Sequence, residues 1–479
     1  MDCGEAVTHT TGTGTSRGAG DTFARARRAL AGKRALVVGL ARTGVCAARL
    51  LARCGAVVTA VDALPLDRLS GAGELCALGV KIRAGGAGVD TRGVELVVVS
   101  PGVPSNSAVL YEARANGAEV ISEIELAYRF MDAPVLAVAG TNGKTTTTAL
   151  LGEAIKEAGK RVFVGGNIGT PAIEYIESGG GADLCVLELS SFHLETTASF
   201  APKVGILLNI TEDHLDRYRD FGHYAETKFR LFENQTPADF AVVNAADPVI
   251  ARRIKAWPAK GRVIPFTTAG ALTEGLMLDG GSVVFSLDGA VERYPVSAFR
   301  LKGVHNVENI MAVIAAARLA GVEQEPLRRV LGSFGGLGHR MERVRVLDGV
   351  TYIDDSKGTN IGALMGALKG VPGPVVLIAG GRDKGGDYGA LTDLVKEKVR
   401  RLVLIGEAGG RIKAALGHLT ETVEASSLDE AVRVARAAAR EGDTVLLCPA
   451  CSSFDMFKDY RERGERFRAA VEALQGISE

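Results

Sequence analysis

The sequence predicts an α/β protein of three domains in series: a Rossmann-like N-terminal domain, a central P-loop ATPase-like domain with a parallel sheet, and a Rossmann-like C-terminal domain. Three observations predict it. A chain of 479 residues is too long for one core at ~100–200 residues per domain. From Ala35 onward, short β-branched apolar runs alternate with amphipathic helical patterns, which is how a parallel sheet covered on both faces reads. Two breaks punctuate the series, Asp132-Ala133-Pro134 and the glycine-rich hinge Phe334-Gly335-Gly336-Leu337-Gly338. They give expected domains of 33–131, 132–334 and 335–479. Thr8–Gly20 is rich in Thr and Gly, so residues 1–32 are expected to form a disordered arm.

In the first domain, a strand Ala35–Val38, a turn Gly39–Gly44 and a helix to about Arg53 come first. A strand Ala56–Val61 then ends at Asp62, and Leu96–Val99 leads into Ser100-Pro101-Gly102. In the second domain, Val135–Ala139 runs into Gly140–Thr148, while the buried strands Leu184–Leu187 and Val204–Leu208 end at Glu188 and Asn209. Polar residues therefore stand at the carboxyl ends of strands, where open α/β sheets bind ligands. Leu272–Val296 alternates and is expected to add small antiparallel strands. The third domain offers Val350–Ile353, Val375–Ile378, Leu402–Ile405 and Thr444–Leu447.

Composition excludes several classes of function. The formal net charge is zero, so no global field draws the chain to nucleic acid or an acidic membrane, and neither is expected as a partner. No apolar run reaches the ~18 residues of a spanning helix, and the first 32 residues lack the apolar core of a signal peptide. Seven unpatterned cysteines suit a reducing compartment, so the chain is expected in the cytoplasm. Cys448-Pro449-Ala450-Cys451 lacks the second half of a zinc site and reads as a turn with spectator thiols.

The motifs point to nucleotide chemistry. Gly140-Thr141-Asn142-Gly143-Lys144-Thr145 follows a strand and opens a Thr-rich helix. Glycines let backbone N–H groups curl around phosphate oxygens, Lys144 neutralises charge, and Thr145 offers a hydroxyl to magnesium. A further glycine expected in the full pattern is Val138. Gly39-Leu40-Ala41-Arg42-Thr43-Gly44, with Asp62 about 20 residues on, resembles a dinucleotide loop, but Ala41 replaces its middle glycine. The loop suits a nucleotide phosphate more than NAD, and a turn that merely packs helix on sheet is the alternative. Glu188–His193 and Asn209–His214 each follow a buried strand, where a carboxylate and an imidazole could complete a magnesium site; capping by Ser190 and Asp213 is the alternative. The loops Asp354–Asn360 and Gly380–Gly386 place cations beside small residues, which suits a carboxylate or a phosphate.

These motifs resemble those of the Mur ligase family, in order from Gly39 to Phe467. The set comprises the Gly140 loop, Asn209–Tyr218, His305-Asn306, His339-Arg340, Asp355–Asn360 and Lys384. Within the family, Glu188–Glu195, Asn209–Tyr218 and Cys448–Arg466 are most similar to the D-glutamate-adding branch. Two positions depart from the usual pattern: Gly338 replaces a proline, and His193 replaces a glutamine. The resemblance implies ligation of D-glutamate to UDP-N-acetylmuramoyl-L-alanine through an acyl phosphate, using ATP and two magnesium ions, by a monomer. It implies that Gly140, Thr141, Asn142, Gly143, Lys144, Thr145 and Thr146 hold the phosphates, with Asn309, Arg340 and Asp355 on the nucleotide. Thr145, Glu188, His214 and a carbamylated Lys228 would hold metal, and Lys144, His214 and Lys228 would be catalytic. Thr43, Asp62, Ser100, Asn167 and His214 would face the UDP-sugar-peptide. Lys357, Thr359, Lys384, Ser453, Phe454 and Tyr460 would frame the D-glutamate pocket.

Overall fold

The computed structural model describes residues 21–476 apart from Ala87, Ile168, Leu215 and Asp216. Among the described residues there are three sheets. They fall into two compact units: one runs to Pro134 and adds Pro171–Asp183, and the other takes Val135–Thr170 and the chain from Leu184. The segment Pro171–Asp183, inside the expected central span, thus packs with the first unit.

The first unit holds β1 (Arg34–Val38), β2 (Val57–Val61), β3 (Lys81–Arg83), β4 (Leu96–Val99) and β5 (Glu119–Ser122). They are ordered β3-β2-β1-β4-β5 and all parallel. The order in which strands are added reverses at β1, outward to β3 on one side and to β5 on the other, so a crevice opens at the carboxyl ends of β1 and β4. Leu36, Val97 and Val99 are buried with Leu110 in the core of this unit.

One expectation fails in this unit. Residues 21–30, assigned to a disordered arm, form a helix, Asp21–Leu30. Thr22, Ala26 and Leu30 are buried, a spacing of four that puts one stripe against the unit. The Thr22 hydroxyl donates to the Gly179 carbonyl at 2.9 Å. Its arginines hide the apolar stripe in the sequence. Residues 1–20 of the expected arm lie outside the described residues.

The second unit contains two sheets. The larger is built from β6 (Val135–Ala139), β7 (Val162–Gly166), β8 (Leu184–Glu188), β9 (Val204–Leu207), β10 (Phe240–Asn244), β11 (Arg262–Thr267), β12 (Gly275–Asp279), β13 (Ser282–Leu287) and β14 (Ala290–Pro295). Their order is β14-β13-β12-β11-β10-β9-β6-β8-β7. The strands from β7 to β12 are parallel, and β12, β13 and β14 pair antiparallel as the alternation in Leu272–Val296 predicts. The central position of β6, with β8 and β9 on either side, brings the ends of three strands together. The helices Lys144–Glu157 and Val304–Leu319 pack against this sheet, and Leu136, Val138, Leu150, Ile206, Ile310 and Val313 share its core.

The smaller sheet has β15 (Glu342–Leu347), β16 (Val350–Asp354), β17 (Val375–Gly380), β18 (Val399–Ile405), β19 (Glu421–Glu424) and β20 (Thr444–Leu447), ordered β15-β16-β20-β17-β18-β19. All pairs are parallel except the edge pair β15–β16. Two cores cover its two faces.

Candidate active site

The phosphate loop is held from outside as well as by its glycines. Gly143 has φ +82°, and a Cβ there would lie 2.2 Å from Asn309 Oδ1. Asn309, on the helix Val304–Leu319, thus packs directly on the loop. Asn209, at the end of β9, accepts from the amides of Thr141 (3.1 Å) and Asn142 (2.8 Å) and donates to the Asn142 carbonyl (3.1 Å). Thr141 Oγ1 donates to the Thr211 carbonyl and accepts from the Thr211 amide. The helix starting at Lys144 leaves its first N–H groups facing the loop. Lys144 Nζ folds onto the carbonyls of Gly140 (3.0 Å) and Thr141 (2.7 Å). Desolvation lowers its pKa, opposed by Glu188 and Asp213.

Beside the loop, Glu188 at the end of β8 is buried. Its Oε1 accepts from Asn167 Nδ2 at 2.8 Å, and its Oε2 is buried with no hydrogen-bond partner. His214 sits at φ +55°, with Nε2 3.6 Å from Asp213 Oδ2 and its ring 4.8 Å from that of Phe192. Lys228 lies on the helix Phe221–Phe229 and is 2 % exposed. Its Nζ donates to the Gly140 carbonyl at 2.9 Å and stands 4.6 Å from the centre of the Tyr224 ring. Burial drives its pKa well down, helped by the Lys144 cation.

The C-terminal sheet supplies the facing wall. Asp355, just past β16, is buried. Its Oδ1 accepts from the Met341 amide and its Oδ2 from the Cys448 thiol, each at 3.2 Å. Burial pushes its pKa up to about 7. Arg340 is flanked by His339 (φ +60°) and Met341 (φ +47°), a left-handed conformation that side-chain-bearing residues rarely hold without support. The support is His339 Nδ1 paired with Asp354 Oδ2 at 2.7 Å, with the His339 amide donating to Glu342 Oε2 at 2.9 Å. A cavity of about 400 Å³ between the two sheets is lined by Asn142, Gly143, Thr146, Asn309, Arg340 and Asp355.

Asn360 ties the walls together. Its Nδ2 donates to Asp213 Oδ2 (3.1 Å) and Asn142 Oδ1 (3.3 Å), and its Oδ1 caps the helix Ile361–Gly370. Lys384 Nζ lies 3.8 Å from Asp213 Oδ1. A second cavity of about 380 Å³ opens here, lined by Asp213, His214, Asn360, Met365, Lys384 and Tyr388. Lys357 lines the first cavity instead, its Nζ 4.2 Å from the Tyr460 ring centre. Burial, then the Arg340 cation, lowers its pKa to about 8.

Family models match three stretches: "Mur ligase MurD-like, N-terminal domain" over 33–122, "Mur ligase middle domain" over 138–317 and "Mur ligase, glutamate ligase domain" over 339–451. Together they cover well over half of the chain. The chain belongs to the Mur ligase family. Members are ATP-dependent, magnesium-using ligases that form amide bonds. This Mur ligase is 51% identical to the UDP-N-acetylmuramoylalanine--D-glutamate ligase of Geotalea daltonii, over 93% of this chain and 98% of that one. It is 50% identical, with the same shares, to the enzyme of that name from Geobacter metallireducens. Among solved structures, it resembles a pseudomurein peptide ligase type C from Methanothermus fervidus (TM-score 0.60, 19% identity, covering 92% of this chain and 100% of that one). It also resembles the UDP-N-acetylmuramate-alanine ligase of Thermotoga maritima (TM-score 0.56, 19% identity, covering 92% and 99%). At that identity, these two show the fold alone.

The other expected residues are distributed as follows in this Mur ligase. Thr43, Asp62 and Ser100 belong to the first unit, Thr43 in the first turn of the helix Arg42–Arg53 and the other two just past the carboxyl ends of β2 and β4. Asp62 accepts from the amides of Leu40 (2.6 Å) and Leu64 (2.8 Å), and Ser100 Oγ donates to the Gly39 carbonyl (2.7 Å), so both brace loops. A Cβ on Gly44 would meet the Gly39 carbonyl at 1.8 Å, so the first glycine loop also packs helix on sheet tightly. Thr359, Ser453, Phe454 and Tyr460 line neither cavity, and Phe454 is 61% exposed. Ser190 does cap its short helix, reciprocally with His193. Asp213 instead binds Asn360 and Lys384. The contributions of Asn209, Asp213 and Asn360 were not assigned from sequence, although each ends or follows a strand in a polar motif. None of the described helices is long and apolar enough to cross a membrane.

Proposed function

We propose that this Mur ligase joins D-glutamate to UDP-N-acetylmuramoyl-L-alanine at the expense of ATP. The observation that carries the reading is the 51% identity, over 93% of the chain, to a ligase of that name. The two cavities beside the phosphate loop agree with it, since one has nucleotide-type lining and the other carries Lys384. A carboxylate resists attack by an amine because its leaving group would be oxide. Transfer of the γ-phosphoryl group of ATP to that carboxylate gives an acyl phosphate. The D-glutamate amine then attacks the carbonyl carbon, loses a proton, and expels phosphate as the amide forms.

Positioning and charge neutralisation carry such a transfer. The loop amides and Lys144 hold the phosphates, Asn309 borders the adenine end of the nucleotide, and Arg340 and Asp355 reach it from the C-terminal sheet. Lys357 and Lys384 offer cations to a substrate with two carboxylates. Asn167 and His214 sit where the acceptor's reacting end would lie. The unpartnered Oε2 of Glu188 fits a metal, because a buried carboxylate oxygen without a donor is costly unless a cation meets it. Thr145, His214 and Lys228 would complete the holding of two magnesium ions. When bound, magnesium neutralises charge on the transferring group.

Lys228 would serve as a carbamate, formed when its neutral amine adds carbon dioxide and releases a proton. That exchanges a cation for an oxygen anion of the kind magnesium prefers. Action in the cytoplasm as a monomer completes the reading. The buried free thiols Cys46, Cys54, Cys448 and Cys451 suit a reducing compartment.

The test is phosphate release and amide formation with a panel of D- and L-amino acids, UDP-N-acetylmuramoyl-L-alanine and ATP. D-glutamate is expected to be preferred. Preference for L-alanine or a diamino acid would assign the chain to another branch, and phosphate release independent of any amino acid would remove the ligase reading.

A further inference from the structure

Cys448 stands at the carboxyl end of β20, and Asp355 at that of β16. The two strands pair in parallel with Asp354 opposite Leu447, and the Asp355 amide donates to the Leu447 carbonyl at 2.8 Å. The next residue of each strand therefore lies beside the other by register alone. Their contact is the 3.2 Å hydrogen bond from Cys448 Sγ to Asp355 Oδ2. Gly358 packs against this contact with no space for a side chain: a Cβ there would lie 2.5 Å from that sulfur and 2.6 Å from that oxygen. Gly358 is itself fixed, donating to the Asp355 carbonyl at 2.7 Å and accepting from Ala450 at 2.9 Å.

We infer that Cys448 is a positioning residue for nucleotide binding: its thiol proton holds the Asp355 carboxyl in the rotamer that faces the cavity between the sheets. The effect extends further, because the other oxygen of Asp355 accepts from Met341, the residue after Arg340. One carboxyl group thereby links the thiol to the strained loop that presents the arginine. Full burial keeps the sulfur protonated, which is the form that donates. The cysteine read as a spectator in the sequence thus fixes an acid in the site.

The inference rests on the reading that Asp355 contacts the nucleotide, and the experiment separates the two. Cys448→Ser, Cys448→Ala and Asp355→Asn are compared in the intact enzyme by steady-state kinetics with magnesium and ATP varied together, and by calorimetry with ADP. Cys448→Ala should raise KM for ATP and weaken ADP by about tenfold, the scale of a hydrogen bond to a charged group. Its kcat and its KM for the amino acid should stay within about twofold. Cys448→Ser, which keeps a donor, should restore most of the nucleotide affinity. If Asp355→Asn is impaired but Cys448→Ala binds nucleotide normally, or if serine is no better than alanine, the positioning role is wrong. If Asp355→Asn also binds normally, the nucleotide role of Asp355 falls, and this inference falls with it.

Discussion

The amine of Lys228 donates to the carbonyl of Gly140, the first residue of the phosphate loop, at 2.9 Å. A lysine only 2 % exposed is an expensive way to satisfy one backbone carbonyl. The same burial favours the neutral amine, which is the form able to take up carbon dioxide.

Lys228→Ala is therefore expected to lower the ligation rate by about 100-fold or more, the scale of removing a charge-stabilising group. Millimolar acetate should recover part of the activity by placing a carboxylate in the vacated space. Failure of acetate and bicarbonate to alter the rate of the variant and the parent, respectively, would leave Lys228 with a purely structural role.

Gly143→Ala places a methyl group 2.2 Å from Asn309 Oδ1 at a φ of +82°. The left-handed backbone alone costs about 1 kcal/mol for a side-chain-bearing residue, and Asn309 must also move. ADP affinity measured by calorimetry should fall by about tenfold or more, with denaturant stability reduced by about 1–2 kcal/mol. Unchanged ADP affinity would show that the loop does not cradle phosphates in this conformation.

His193 gives a pH-dependent prediction. Its Nδ1 accepts from the Ser190 amide and its Nε2 is buried without a partner, and desolvation lowers its pKa from 6.5 to about 4. Below the unfolded value the unfolded chain takes up a proton that the folded chain refuses. Stability is thus full above about pH 6.5 and is lost as pH falls toward 4. His193→Gln removes this dependence and should be more resistant to acid than the parent by about 2 kcal/mol at pH 4.5, relative to their difference at pH 7.5. Urea melts at the two pH values measure it; parallel losses in both proteins would mean that the imidazole titrates normally.

The sequence by itself determined the continuous apolar strands β1, β4, β6, β8, β9, β17 and β20 and the phosphate loop, because both are local: a continuous β-branched run buries on two faces wherever it lies, and the glycines of Gly140–Lys144 act on their own backbone. It did not reveal β3, β5, β7, β10, β11 and β19, nor β15, whose Glu342, Arg343 and Arg345 mask an edge strand, nor the helix Asp21–Leu30, whose arginines mask its buried stripe. Tertiary structure alone decided which strand ends meet. The order β9-β6-β8 sets Asn209 against the phosphate loop and leaves Glu188 with an unpartnered oxygen, across 68 and 44 residues of sequence from Thr141 and Lys144 respectively. It also decided that Asn360 reaches Asp213 and that Cys448 reaches Asp355. Those contacts depend on strand order and register, which are set by burial over the whole sheet and not by any residue's neighbours in the chain.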